Sequence, residues 1–192
     1  MRKRRKWGPA ALSLAAEAVM IVFSVLLALS LAEWRDVRRE RRAVATALDL
    51  VAEELRTNKE MLDQRVAYYR TMRDTLDWMI AQSGPDVEPD AIPGWQGIMP
   101  ALLSDGSYQA AHTTQAFANM DLRTASALAR VYAFQEMYQG FMDKMIDWVI
   151  DEQEETVGEF RGAFGEMSSI SAELSGFYGQ GLEVIERTRE AE

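Results

Sequence analysis

The feature that most constrains this chain is a long apolar stretch between Trp7 and Trp34. Glu17 is its only charged residue before Glu33, so about 25 residues are available to cross a hydrocarbon core that needs about 20. In a helix the two tryptophans are about 40 Å apart, close to the thickness of a bilayer with its headgroups. The sequence therefore predicts a transmembrane helix over residues 9–33, with Trp7 and Trp34 as interfacial anchors.

A cleaved signal peptide is the alternative interpretation, because a basic segment, predicted as a cytoplasmic tail over residues 1–8, precedes the apolar stretch. That stretch is longer than the roughly 7–15 residues of a signal-peptide core, and the chain leaves it in helical period, which favours a retained anchor. The basic residues on the two sides balance, so the positive-inside rule does not decide the orientation. Acidic residues among the second group favour a cytoplasmic N-terminus. The basic residues are Arg2, Lys3, Arg4, Arg5 and Lys6 before the span, and Arg35, Arg38, Arg39, Arg41 and Arg42 after it.

These basic residues are expected at the membrane surface. One interpretation is attraction to anionic lipid headgroups, at roughly 1 kcal/mol for each basic residue. The alternative is a stop-transfer flank whose charges pair locally along the helix.

One face of the predicted span is polar and small. At about 100° per residue, Ser13, Glu17, Ser24 and Ala28 lie close together, and Ala32 continues the spacing of four. A carboxyl group at that depth costs on the order of 2–3 kcal/mol unless it is protonated or paired. The face predicts packing against another transmembrane helix, from a second copy or a partner subunit. The alternative is a protonated Glu17 tolerated by a long apolar helix, with serines bonded to their own backbone.

The rest of the chain is predicted to be helical. Residues 34–82 carry an apolar stripe of period 3.6 that includes Val44, Leu55 and Leu76, while charged residues such as Glu54 mostly occupy the other faces. Gly84 and Pro85 are expected to stop this helix. Residues 83–106 form a Pro/Gly linker, part of which is expected to pack as a cap or a short helical turn over the end of the bundle.

Residues 107–192 are predicted to form a helical hairpin or bundle. We expect a short helix capped by Ser107, and a long one capped by Asp121 and ending near Thr156. A last helix is expected to start at Ser168 or Ser169, after a stretch loosened by glycines, and to be irregular at its end. The predicted fold is all-α, with a single transmembrane helix and an antiparallel bundle of three or four helices outside the membrane.

Composition excludes much of enzyme chemistry. The chain has no cysteine and only one histidine, His112, which removes thiol nucleophiles, disulfides and the usual zinc sites. The formal charge of −9 divides into +6 for residues 1–42 and −15 for residues 43–192, which argues against nucleic-acid binding by most of the chain. We therefore predict no catalytic residue, no metal site and no cofactor.

The sequence resembles a family of bacterial single-pass membrane proteins with no established activity. The resemblance rests on Glu17 early in the span, on SVLLALSLAEWRDVRRERR at its exit, and on SYQAAHTTQAFANMDLRTASALARVYAFQEMY further on. It implies a bacterial inner-membrane location, with the C-terminal domain in the periplasm for the orientation favoured above. It implies a helical domain and supplies no activity to carry over.

Two functions are expected. The first is a non-enzymatic, membrane-anchored interaction protein, whose partners are the lipid bilayer and other transmembrane helices, either as an oligomer or as an accessory subunit of a larger complex. The second is an extracytoplasmic sensor that binds a ligand either near Trp95 or near a group of three aromatic residues: Tyr132, Phe134 and Tyr138.

Overall fold

The computed structural model describes residues 9–87, 91–151 and 156–191. Every regular element in these ranges is an α-helix, which confirms the all-α prediction. The helices are α1 (Pro9–Ser83), α2 (Gly106–Thr113), α3 (Gln115–Ala118), α4 (Leu122–Asp151) and α5 (Val157–Ala191). The apolar stretch and the amphipathic stretch that follows it thus belong to one long N-terminal helix.

The chain divides into two compact units, residues 1–43 and residues 44–192. In the described part of the first unit, the side chains from Glu17 to Ala43 are all exposed. Buried residues begin at Val44, the first residue of the second unit. The second unit therefore contains the whole described hydrophobic core.

The second unit is a three-helix bundle with α2 and α3 packed on it. Helix α5 runs antiparallel to α1, because its residues pair with α1 in reverse order: Arg189 with Asp49, Ser175 with Asp63 at 2.6 Å, and Arg161 with Asp77 at 2.9 Å. Helix α4 runs parallel to α1, since Tyr132 contacts Glu54 and Gln135 contacts Asn58. The predicted bundle is therefore present, with α1 and α4 parallel and α5 antiparallel to both.

The core follows a seven-residue repeat on α1. Each member is at most 1% exposed: Leu48, Leu55, Leu62, Tyr69 and Leu76. A seven-residue apolar repeat keeps one seam of a helix facing its neighbours at the shallow crossing angles of helical bundles. Buried residues of the other two long helices complete the core, among them Leu128, Tyr138 and Met142 of α4 and Phe164, Leu174 and Ile185 of α5.

Part of the linker packs at the end of the bundle, as predicted, since Pro85 and Val87 accept backbone bonds from the start of α5. The rest of the linker leaves that end and runs along the side of the bundle. It follows α1 backwards, because Gly97 and Met99 meet the hydroxyls of Tyr68 and Tyr69 at 2.9 and 3.1 Å, and Ser104 then reaches Asn58. Parallel α1 and α4 require the chain to return along the bundle between them. Helix α1 ends before Gly84, as the sequence predicts. Gly84 has a φ of +88°, a left-handed conformation that glycine adopts more readily than other residues.

Two of the predicted helix starts are wrong. Helix α2 begins at Gly106, before Ser107, and its N-cap residue Asp105 makes no side-chain capping bond. Helix α5 begins at Val157, well before Ser168, because Thr156 and Glu159 form a capping box: the Thr156 N–H and hydroxyl donate to Glu159 at 2.8 and 2.9 Å.

The glycines of α5 do not interrupt it, because the helix is held along its length by packing against α1 and α4. Gly181 lies where an added Cβ would meet Leu55 and Val131 at 3.1 and 3.2 Å. The start of α5 is fixed in addition by backbone bonds from Val157 to Val87 and from Gly158 to Pro85, both at 2.9 Å.

The start of α4 agrees with the sequence. The Asp121 carboxylate accepts bonds from the N–H groups of Arg123 and Thr124 at 3.0 and 3.1 Å, which confirms it as the N-cap. The described part of this helix reaches Asp151, and the four residues between it and Thr156, near which the helix is predicted to end, lie outside the described residues.

Candidate functional site

The first candidate site is the apolar part of α1. Its large side chains from Leu14 to Leu31 are 45–72% exposed. Its best 18-residue window has a mean hydropathy of 1.8 and is 0% buried, so this helix is long and apolar enough to cross a membrane. Continuous apolar exposure of this extent is typical of a surface that lipid or another protein covers.

The predicted packing face lies within this part of α1. Glu17, Ser24, Ala28 and Ala32 are all exposed, while the Ser13 side chain lies outside the described side chains. The Ser24 hydroxyl donates to the carbonyl of Met20 at 2.8 Å, so in a single copy of the chain this serine bonds its own helix. The face is thus available for a neighbouring helix.

The charged segment after the span is also exposed. Trp34 is 51% exposed, and the Arg38 guanidinium lies 4.1 Å from the centre of its ring, in a cation–π contact. The four other predicted arginines here, Arg35, Arg39, Arg41 and Arg42, are exposed as well. The predicted basic residues 2–6 and the anchor Trp7 lie outside the described residues.

The second candidate site is a buried polar cluster centred on Glu54, which is only 8% exposed. One carboxylate oxygen accepts bonds from the Ser107 N–H at 2.8 Å and the Ser104 hydroxyl at 3.0 Å. The other accepts bonds from the Tyr132 hydroxyl at 2.6 Å and the Tyr108 N–H at 3.3 Å. Glu54 therefore caps α2 from another helix, in place of the predicted Ser107, because a negative charge is favourable at a helix N-terminus.

Asn58 extends this cluster by one helical turn. Its amide group donates to the Ser104 carbonyl at 2.7 Å and accepts from the Ser104 N–H at 3.0 Å, as a paired strand would. The Gln135 amide also donates to the Ser104 carbonyl, at 3.2 Å, and Gln135 accepts a bond from the Tyr178 hydroxyl at 2.6 Å. Helices α1 and α4 thus hold the linker at Ser104, and α5 supports this contact through the bond from Tyr178 to Gln135.

Burial determines the protonation of the tyrosines in this region. Burial raises the pKa of Tyr132, and the hydrogen bond to the Glu54 carboxylate raises it further. Burial also raises the pKa of Tyr69 and of Tyr178. These hydroxyls therefore remain protonated over the physiological pH range, and each donates a hydrogen bond to an acceptor within the second unit.

The aromatic residues of the two predicted ligand locations, Trp95 for one and Tyr132, Phe134 and Tyr138 for the other, have separate environments. Trp95 packs edge-on against Phe160 and Phe164 with ring centroids 5.4 and 5.6 Å apart, and Phe134 packs on Phe177 at 4.2 Å. Tyr132 belongs to the Glu54 cluster, and the Tyr138 hydroxyl accepts a bond from the Ala101 N–H at 3.4 Å. The structure does not bring these four side chains together around one cavity.

Two surface grooves nevertheless border two of these tyrosines. A groove of about 460 Å³ is lined by Tyr108, Tyr132 and Glu136, among others. A second groove of about 450 Å³ is lined by Leu102, Tyr138 and Met142, among others. The rings of Tyr108 and Tyr132 are stacked at 4.1 Å, so the first groove has an aromatic and acidic wall.

Histidine and acidic side chains are the remaining candidates for a metal site. Within residues 9–87, 91–151 and 156–191, no group of three or more histidine, cysteine, aspartate or glutamate side chains is arranged to hold a metal ion. His112 is exposed and its ring contacts those of Tyr108 and Phe117.

Sequence reasoning missed Glu54, Asn58, Ser104 and Gln135. A signal existed for Asn58, since Leu55 and Leu62 are seven residues apart and Asn58 occupies the position between them in the same seam. Glu54 carries no such signal, because an exposed glutamate and a buried one look alike in a charged helical segment. Its burial depends on the return path of the linker.

No protein-family model matches this chain, and no curated protein or solved structure shows significant similarity to it. The family resemblance of the sequence therefore stays a prediction.

Proposed function

We propose that this protein is a membrane-anchored helical interaction protein, either an oligomer or an accessory subunit of a bacterial inner-membrane complex, with no catalytic activity of its own. The observation that carries the proposal is the fully exposed apolar part of α1, with a window of mean hydropathy 1.8. Burying this surface in lipid removes it from water without any further protein contact.

The flanks of the apolar stretch support a membrane-spanning role. Trp34 is half exposed at its end, as expected for an aromatic ring at the headgroup level, and five exposed arginines follow within eight residues. In the proposed orientation the N-terminus is cytoplasmic and the C-terminal unit is periplasmic. A reporter that is active only in the periplasm, fused to the C-terminus, tests this orientation by its activity.

Association is proposed because of Glu17. An ionisable side chain within a span usually faces a protein neighbour, since lipid offers it no hydrogen-bond partner. Ser24, Ala28 and Ala32 share its face and are small enough for a second helix to approach closely. The second unit, by contrast, satisfies the Glu54 carboxylate within its own bundle.

The experiment replaces Glu17 and Ser24 with leucine in the full chain and measures assembly in mild detergent. We expect a smaller particle by light scattering, or the loss of proteins that co-purify from solubilised membranes. The matched control is Val19→Leu with Leu26→Val, on the opposite face of the same helix, which should change neither. An unchanged particle size together with an unchanged set of co-purifying proteins contradicts the proposed association.

A sensor is the second candidate function, and the groove bordered by Tyr108 and Tyr132 is the observation that favours it. A small molecule bound there should raise the melting temperature of the protein in proportion to the logarithm of its concentration. A thermal-shift screen of polar, cationic and aromatic compounds separates the two functions. A stabilising compound whose effect is lost in Glu136→Gln favours the sensor.

A further inference from the structure

The charged segment that follows the span has its two signs of charge on different faces of α1. At about 100° per residue, Arg35, Arg38, Arg39 and Arg42 fall within about 100° of one another. Glu33, Asp36 and Glu40 fall within about 60° of one another, and the two groups are centred about 140° apart. We call the first group the arginine face. Arg41 lies outside both groups.

Most neighbouring charges in this segment have the same sign. Residues four apart on a helix are neighbours, and here such neighbours repel: Arg35 with Arg39, Arg38 with Arg42, and Asp36 with Glu40. At a spacing of three, Asp36 and Arg39 have opposite signs. Like charges at this spacing destabilise a helix by about 0.2–0.5 kcal/mol for each pair. The segment therefore has a local electrostatic cost that a stop-transfer flank with paired charges would avoid.

The ion pairs of the described residues agree with the like-charge spacing of this segment. Across residues 9–87, 91–151 and 156–191, the ion pairs join Arg56, Lys59, Arg73, Arg161, Arg187 and Arg189 to carboxylates, and none involves an arginine of residues 35–42. Arg38 contacts the ring of Trp34 and is itself an exposed residue. The arginine face is thus a row of exposed cations about 10 Å long, from Arg35 to Arg42.

We propose that the arginine face binds the phosphate groups of anionic lipids where α1 leaves the bilayer. This inference rests on the proposed membrane-spanning role of residues 9–33. Trp34 places the segment at the headgroup level, and guanidinium groups bind phosphate oxygens through paired N–H donors. Lipid phosphates then offset the repulsion between the arginines, while the acidic face turns away from them.

The test uses the full chain in nanodiscs of equimolar phosphatidylcholine and phosphatidylglycerol. The lipids that stay on the protein after extraction in mild detergent are counted by native mass spectrometry. We expect phosphatidylglycerol to be enriched about fivefold or more over phosphatidylcholine, and the enrichment to fall with added salt. Replacing all four arginines of the face with glutamine should bring the ratio close to one.

Three variants serve as comparisons. Replacing Arg70, Arg123, Arg130 and Lys144 with glutamine removes the same charge from exposed positions of the second unit and should leave the enrichment unchanged. Replacing the four arginines of the face with lysine should leave a reduced enrichment, because charge is kept and paired donation is lost. Neutralising Glu33, Asp36 and Glu40 should preserve or raise it.

The outcomes separate this inference from the proposed function. Equal retention of the two lipids by the wild-type chain, or the same enrichment in the glutamine variant, overturns the inference and leaves membrane anchoring intact. A smaller oligomer on neutralising either face, with no lipid preference, overturns it in favour of pairing between copies. Failure of the wild-type chain to enter nanodiscs at all overturns both.

Discussion

The two parts of α1 on either side of Ala43 differ in the exposure of their apolar side chains. Between Leu14 and Leu31 the helix carries large apolar side chains on all sides and these are exposed, whereas beyond Ala43 most of its large apolar side chains are buried along one seam. Exposure of a single side chain does not distinguish the two parts, because Leu26 in the first and Leu50 in the second are 57% and 55% exposed. A helix that is apolar all round needs lipid or other helices, while a helix with one apolar stripe needs only its neighbours in a bundle.

The buried polar groups complete the contrast. In the second part of α1, Glu54 and Asn58 lie in the protein interior with several hydrogen bonds each. In the first part, Glu17 is the corresponding ionisable residue and is exposed. Glu54 and Asn58 are therefore satisfied within the bundle, whereas Glu17 is left for the surroundings of the helix to satisfy.

The largest expected effect comes from charge placed in the apolar part of α1. Replacing Leu26 and Leu27 with arginine costs about 6 kcal/mol of insertion free energy, so the double variant should shift from the carbonate-resistant membrane fraction to the soluble or degraded fraction. Leu50→Arg is the control, and its membrane fraction should equal that of the wild type. A double variant that stays fully membrane-integrated would show that lipid does not surround these residues.

The Glu54 cluster is expected to have the next largest effect. Glu54→Ala leaves the Tyr132 hydroxyl and the N–H groups of Ser107 and Tyr108 without their acceptor, which should lower the free energy of unfolding by about 3 kcal/mol. Urea unfolding in detergent, followed by circular dichroism, measures the change. Glu53→Ala removes a neighbouring exposed carboxylate and should change stability by less than about 0.5 kcal/mol. Equal effects of the two substitutions would contradict the proposed role of Glu54 in holding α2.

Two glycines of α5 give a smaller effect with a clear sign. Gly179 has open space beyond its Cα, so Gly179→Ala should raise the free energy of unfolding by up to about 1 kcal/mol through helix propensity. Gly181→Ala should be at least about 1 kcal/mol less stable than Gly179→Ala, because the added methyl overpacks against buried Leu55 and Val131. Thermal unfolding of both variants tests whether packing or propensity holds this helix together.

The smallest effect is a pH dependence at Asp63. Burial opposes the ionisation of Asp63, but hydrogen bonds from Lys59 and Ser175 outweigh it and hold its pKa below the ordinary 3.8. Its ionised form therefore stabilises the fold above about pH 4, and this contribution disappears as the pH falls through the lowered pKa. Asp63→Asn should lose less stability than the wild type between pH 7 and pH 3, with Ser175→Ala intermediate. An identical loss in all three proteins would exclude this contribution.

Much of the helical architecture follows from local sequence patterns. The apolar stripe of residues 44–80, the stop at Gly84 and Pro85, and the cap at Asp121 each depend on neighbouring residues alone, and the structure agrees with them. The capping box of Thr156 and Glu159 was equally local and was overlooked. Its T-x-x-E spacing sets the start of α5. The helix then continues through the glycines that follow, because tertiary packing offsets their low helix propensity.

Local sequence patterns do not predict the path of the linker or the Glu54 cluster. Whether α4 runs parallel or antiparallel to α1 depends on contacts between residues that are 77 or 78 positions apart, such as Glu54 with Tyr132. The parallel arrangement sends the linker back along the bundle and so buries Glu54. The separation of Trp95, Phe134 and Tyr138 into different contacts is also a consequence of tertiary packing.

Cysteine labelling tests the central claim most directly, because the natural chain contains no cysteine. Leu26→Cys and Leu50→Cys place single thiols at two equally exposed positions of α1, in full-length protein incorporated into nanodiscs. The account predicts that a charged maleimide modifies Leu50→Cys rapidly and reaches Leu26→Cys only after the bilayer is dissolved in SDS. Equal rates at both positions before SDS would contradict the claim that lipid covers the first part of α1.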